Sequence, residues 1–136
     1  MTEAELADRV AAEIVALHQE FERWFRGESD DPRRMQSSIP PDFTFISPGA
    51  DLVPADALIS GLLDAHGSRQ IRIRIENPVV RWSDGSAVLA TYEEWHDHAD
   101  YSTGRQSSVL FTIDADAPGG LKWRHVHETW IKPPPK

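Results

Sequence analysis

Two histidine pairs and one glutamate pair carry the chemistry this sequence can offer. His125 and His127 stand two residues apart in LKWRHVHETWI, residues 121–131, and His96 and His98 do the same in TYEEWHDH, residues 91–98. Glu93 and Glu94 lie just before that second pair. Side chains two apart on a strand share a face. Histidine changes charge near neutral pH, and burial raises the pKa of a carboxyl. His127 beside a glutamate therefore reads as a general acid/base pair, tuned by Glu94 or His125. Tyr92 would donate a hydrogen bond to a bound molecule. Phe111, Trp123 and His96 would form walls, and Ser47 would sit at a pocket mouth. The competing reading makes His125 and His127 satisfied core residues, with Glu94 bonding a backbone amide or an arginine.

The strand register decides which residues meet. If Ala115 lies opposite Leu121, then Ile113 faces Trp123, Phe111 faces His125 and Val109 faces His127. If Ala99 faces Gly104, the preceding strand adds Tyr92, Glu94 and His96 to that side. A one-residue slip substitutes Thr91, Glu93 and Trp95. Tyr92, Glu94 and His96 are the preferred set. The two histidine pairs do not make a metal site. A third strand separates them, which puts them about 10 Å apart, whereas zinc draws its ligands to about 2 Å from one point.

The elements that must hold these residues are legible. Thr2-Glu3-Ala4-Glu5 is a capping box. Leu6, Val10, Ile14, Leu17, Phe21 and Trp24 follow at helical spacing, and Gly27 is a natural stop. Helices are expected at about 3–26, 32–38 and 54–65, opened by Thr2, by Asp31-Pro32 and by Pro54. His18 and His66 read as helix-surface residues. DFTFIS, residues 42–47, reads as a strand ended by Pro48-Gly49. From Gln70 onward the sequence is strand and turn. Ile71, Ile73 and Ile75 alternate, and the parity changes to Val80 and Trp82 after Asn77-Pro78, which predicts a β-bulge there. Turns at Asp84-Gly85, at 100–104 and at Pro118-Gly119-Gly120 complete a four-strand meander. Helices set apart from an antiparallel sheet make an α+β fold. Three helices over a curved, mostly antiparallel sheet would form a cone with an internal pocket.

This order resembles the nuclear transport factor 2-like superfamily, which includes ketosteroid isomerases, scytalone dehydratase and SnoaL-like polyketide cyclases. Trp123-Arg124-His125-Val126-His127-Glu128 is similar to the W-R/K-I-V-H-E/D-H ending of SnoaL-like members. His127 matches the first His of that ending, Thr129 replaces the second, and His125 stands for the usual Ile. The resemblance implies one such domain over residues 1–136, with a cavity lined by residues of this kind. Isomerase chemistry does not carry over. The Asp-Pro that supplies the base in those enzymes reads Ser47-Pro48 here, and the only tyrosines, Tyr92 and Tyr101, are off the first helix.

Composition sets the outer limits. The chain has 136 residues and a formal net charge of -8, which disfavours nucleic acid. The one basic stripe, Arg69, Arg72 and Arg74, is broken by Glu76. No apolar run reaches membrane-spanning length, and the acidic start is unlike a signal peptide. Cysteine is absent, which fits a reducing cytoplasm and removes thiolate ligands. No Gly-rich phosphate loop is present, so no metal and no cofactor are expected. The implied partner is a small, partly apolar molecule, handled by acid/base turnover (cyclisation, dehydration or isomerisation) or only bound. Four tryptophans on the sheet, Trp82, Trp95, Trp123 and Trp130, exceed what one core needs. A homodimer through the outer sheet face, with Val126 and Trp130 on it, is expected.

Overall fold

Thr2 forms the capping box in full. Its hydroxyl accepts from the Glu5 amide at 3.0 Å, and the Glu5 carboxylate accepts from the Thr2 amide at 3.3 Å. The helix that follows, α1 (Glu3–Phe25), ends where Gly27 takes a φ of +74°. A computed structural model describes residues 1–136. Val10, Ile14 and Leu17 form the buried face of α1, each side chain contributing about 1.5–3 kcal/mol by leaving water. Helix α2 (Arg33–Ser38) and helix α3 (Ala55–Asp64) follow, close to the expected bounds.

The strands are β1 (Thr44–Ile46), β2 (Leu52–Pro54), β3 (Arg72–Ser83), β4 (Ala87–Asp97), β5 (Ser102–Ile113) and β6 (Leu121–Lys132). They form one sheet in the order β2-β1-β6-β5-β4-β3. All neighbours are antiparallel except β1 and β6, which run parallel. The three helices on this curved sheet are the α+β architecture expected. Strand β2 was not foreseen. Its three residues are too few for a period, and Pro54 at its end suggests a helix start instead.

The expected partners Ile113–Trp123 and Phe111–His125 are displaced by two residues, and Gly104 pairs with Trp95 rather than Ala99; these even offsets keep the expected faces, but one further departure does not. Ile113 pairs with Leu121 and Phe111 with Trp123, but Leu110 pairs with His125, so Arg124 is an extra residue in β6. This bulge reverses the inside-outside order of the strand. Leu121 and Trp123 point into the core, and after the bulge Val126 and Glu128 do. His125 and His127 therefore face outward, against expectation. The foreseen bulge in β3 is present, with a register shift between Glu76 and Val79 and a φ of +53° at Asn77. A second shift between Val80 and Trp82 bends the strand further. The core lies between the sheet and α1, around Val10, Ile14, Tyr92, Val109, Phe111 and Trp123.

Candidate functional site

The polar floor of the interior begins on α1. His18 follows Ile14 by one turn and shares its buried face; the residue is only 5% exposed. Its Nδ1 donates to the Ile14 carbonyl at 2.7 Å, and its Nε2 donates to Glu94 Oε1 at 3.0 Å. Both ring nitrogens face acceptors, so the ring in this arrangement carries both protons. Burial alone would lower the His18 pKa, but the Glu94 carboxylate and the Ile14 carbonyl outweigh it and raise the value. The imidazolium ring lies edge-on to Phe21, Tyr92 and Trp123, with centroids at 5.4, 5.5 and 6.3 Å.

Strand β4 supplies the residues opposite. Alternation turns Tyr92, Glu94 and His96 inward. Glu94 Oε2 accepts from His96 Nε2 at 2.6 Å, so one carboxylate is held between two histidines. Burial would raise the Glu94 pKa; His18 first and His96 second reverse this and hold it well below the usual carboxylate range. His96 spends Nε2 on Glu94, and its Nδ1 has no partner within the protein. Burial and the nearby carboxylates push the Tyr92 hydroxyl well above its ordinary value, so it stays a neutral donor.

Strands β5 and β6 close the floor. Glu128 Oε2 accepts from Ser107 Oγ at 2.9 Å, and Oε1 accepts from Arg105 Nη1 at 3.2 Å. Burial, then repulsion from Glu94, raises the Glu128 pKa to about 7, even against the pull of Arg105 and Ser107. Two carboxyls on one floor thus differ in state. Glu94 stays ionised, and Glu128 exchanges a proton near neutrality.

Above this floor is a cavity of about 360 Å³. Its walls are mostly apolar, from Phe21 and Phe25 on α1, Phe43 and Phe45 around β1, and Leu58 and Leu62 on α3. Arg69 also lines it. The foreseen residues Tyr92, Glu94, His96 and Trp123 line the cavity. Phe111 does not; it is fully buried behind Trp123, the two rings meeting at 4.6 Å. Ser47 caps the β1–β2 turn, accepting from the Asp51 amide at 3.1 Å, and is also outside. His125 bonds Thr44 Oγ1 through Nδ1 at 2.6 Å on the outer face. His127 is exposed there opposite Ser108, so the expected pairing of His127 with Glu94 is not formed.

Sequence reasoning missed His18, Arg105 and Glu128. His18 was findable, because it stands four residues after Ile14 on the apolar face of α1. Glu128 was not, because strict alternation places it outside and nothing in the residue types announces the bulge at Arg124. The outer face also differs from expectation. Val126 is buried, and Trp130 lies beneath the Arg105 guanidinium at 4.9 Å. Trp95 packs over Gly104, where any Cβ would come within 2.5 Å of its ring.

Comparison with known proteins places this architecture among relatives. The family described as Sucrose-6-phosphate phosphohydrolase C-terminal matches residues 10–132. Sucrose-phosphatase 1 of Nicotiana tabacum is 25% identical over 130 residues, which is 90% of this chain and 31% of that protein. The chain thus spans under a third of the length of the sucrose-phosphatase it matches. Among solved structures, an NTF-2-like protein of unknown function from Pseudomonas aeruginosa superimposes with a TM-score of 0.82. It is 25% identical, and the match covers 90% of this chain and 98% of that one. The association domain of C. elegans CaMKII shares the fold at a TM-score of 0.71 and 15% identity, over 93% of this chain and 97% of its own.

Proposed function

The chain belongs to the Sucrose-6-phosphate phosphohydrolase C-terminal family, and from that premise we propose that its NTF2-like fold serves to bind a small, largely apolar organic molecule and to move a proton on it. The observation that carries this reading is Glu94, clamped between His18 and His96 at the floor of the cavity. A buried ionised carboxylate with two ring partners orients His96 as a carboxylate orients any histidine base. His96 Nδ1 is the base and protonated Glu128 the acid. The apolar walls select the body of the molecule, and the polar floor selects one oxygen function. The activity in the names of the sucrose-phosphatases belongs to proteins more than three times the matched length, so the reading rests on the pocket and not on that name.

The test is a titration of the folded protein with small aryl ketones, followed by proton–nitrogen NMR. The Trp123 indole and His96 ring signals should shift, and Leu58→Trp, which fills the cavity, should abolish the shifts. In deuterated water, wild type should exchange the ketone's α-protons faster than His96→Gln. Shifts without any exchange would leave binding and remove the proton-transfer clause. No shift with any ketone would remove both.

A second reading concerns the outer face, and a specific row favours it. Trp82, Leu89 and Leu110 lie in adjacent register positions with His125 beside them. Trp82 is 53% exposed and the two leucines 38% each. A contiguous apolar row on an open sheet calls for a cover, and we propose that a second copy of the chain provides it.

A further inference from the structure

Arg105 is held in place with most of its hydrogen-bonding capacity unspent. A guanidinium offers five N–H groups in a fixed fork. Within the protein Arg105 uses one of them, from Nη1 to Glu128 Oε1 at 3.2 Å. Its Nε is sealed from solvent and has no acceptor. The indole of Trp130 lies 4.9 Å from the guanidinium carbon and fixes its plane, and the side chain is 16% exposed. Nη2 has no protein acceptor either and is not sealed, so its N–H groups are the ones a molecule in the cavity can meet. Arg69, the other arginine lining the cavity, is exposed, packs over the Phe25 ring at 4.7 Å and forms no ion pair.

We propose that the cavity takes a small organic carboxylate with an apolar body, its head seated on the Arg105 guanidinium and its approach guided by Arg69. This inference rests on the reading of the cavity as a binding site and names the class of molecule. The apolar walls suit an aryl or alkyl body, and a planar fork matches a carboxylate in two parallel hydrogen bonds. A dianion is disfavoured, because Glu94 and Glu128 both face the floor. Glu94 is offset by His18 and contacted by His96, and Tyr92 stays neutral. Glu128 is the group that must change. As the ligand's carboxylate arrives, Glu128 gives up its share of Arg105 and takes a proton from solvent. Binding is therefore coupled to proton uptake, and affinity falls as pH rises above the value at which Glu128 ionises, about 7.

The probes are 3-phenylpropionate and its neutral amide, titrated calorimetrically against the folded protein in buffers of different ionisation heat. The acid should bind with net proton uptake on the alkaline side, and its affinity should fall about tenfold per pH unit there. Glu128→Gln should flatten that dependence. Arg105→Gln should weaken the acid at least about tenfold while sparing the amide; if that variant does not fold, Arg105→Lys and the wild-type pH profile carry the same test. Equal or tighter binding of the amide at about pH 6, or an acid affinity indifferent to Arg105, overturns the proposal while leaving the cavity a binding site. Failure of both probes to bind overturns the proposal and the binding reading together.

Discussion

Glu94 and Glu128 show how little a residue type says about its state. Both are glutamates on inward-facing positions, Glu94 on β4 and Glu128 on β6 with β5 between, and both are nearly sealed from water. Glu94 has two histidine partners and stays ionised; Glu128 has one long contact to Arg105 and a serine, and titrates near 7. The gap between about 7 and an ordinary 4.5 corresponds to about 3 kcal/mol. Because the folded state holds this proton more tightly than the unfolded chain, the contribution is present below about 4.5 and is lost as pH rises through about 7. Urea unfolding of wild type and Glu128→Gln should show it: the wild type should lose stability relative to the variant between about pH 5 and pH 8. A constant difference would mean that Glu128 is ionised throughout. Glu94 has the opposite sign. Its lowered pKa stabilises the fold above the ordinary carboxylate range and ceases to do so as pH falls through the lowered value. Glu94→Ala leaves the His18 charge buried without its partner and should cost about 3–5 kcal/mol at neutral pH, read from the urea midpoint.

At the scale of elements, the bulge at Arg124 does what the rest of β6 cannot. Without it, the odd-numbered histidines would face the core and Glu128 the solvent. The residue is an insertion in the β5–β6 ladder, whose other shift lies at the far end where Ile131 is extra, so deleting Arg124 should leave Val126 and Glu128 facing inward. Its ion pair to Asp42, at 2.6 Å on the surface, is worth at most about 1 kcal/mol. Deleting Val126 instead should turn Glu128 outward and remove a core side chain, a loss of roughly 2–5 kcal/mol. Thermal unfolding of the two deletions separates these outcomes, and the account fails if the Arg124 deletion is the more damaging. This position also marks the limit of what the sequence reveals. The α1 face, the cap at Thr2, the meander and the bulge at Asn77-Pro78 were all legible, because each has a local signature in period, hydroxyl or proline. Tyr92, Glu94 and His96 were legible as one face for the same reason. The Arg124 bulge has no such signature. It is set by how β6 must fit β5 on one side and β1 on the other, a tertiary demand that alternation does not record.

At the scale of the molecule, the sheet has a concave and a convex face. The concave face, covered by α1 and α3, encloses the cavity. The convex face is partly self-covered, with Trp95 lying on Gly104 and Arg74 5.6 Å from the Trp95 ring, but the row of Trp82, Leu89 and Leu110 stays open. No helix is long and apolar enough to cross a membrane. Light scattering at micromolar concentration should give twice the chain mass of 15.3 kDa, and Leu110→Glu should return it to one. A wild-type monomer would remove the self-association proposal and leave the cavity untouched, since none of the three lines it.

Helix α1 and strand β4 meet through an ionic bond between His18 and Glu94 at the cavity floor. Nitrogen chemical shifts of the His18 ring in wild type and Glu94→Gln test it most directly. The account predicts a doubly protonated ring at neutral pH that persists above the range of an ordinary histidine, and a ring that loses one proton in the variant. A neutral His18 ring in the wild type at neutral pH, or the same protonation in both proteins, would contradict it.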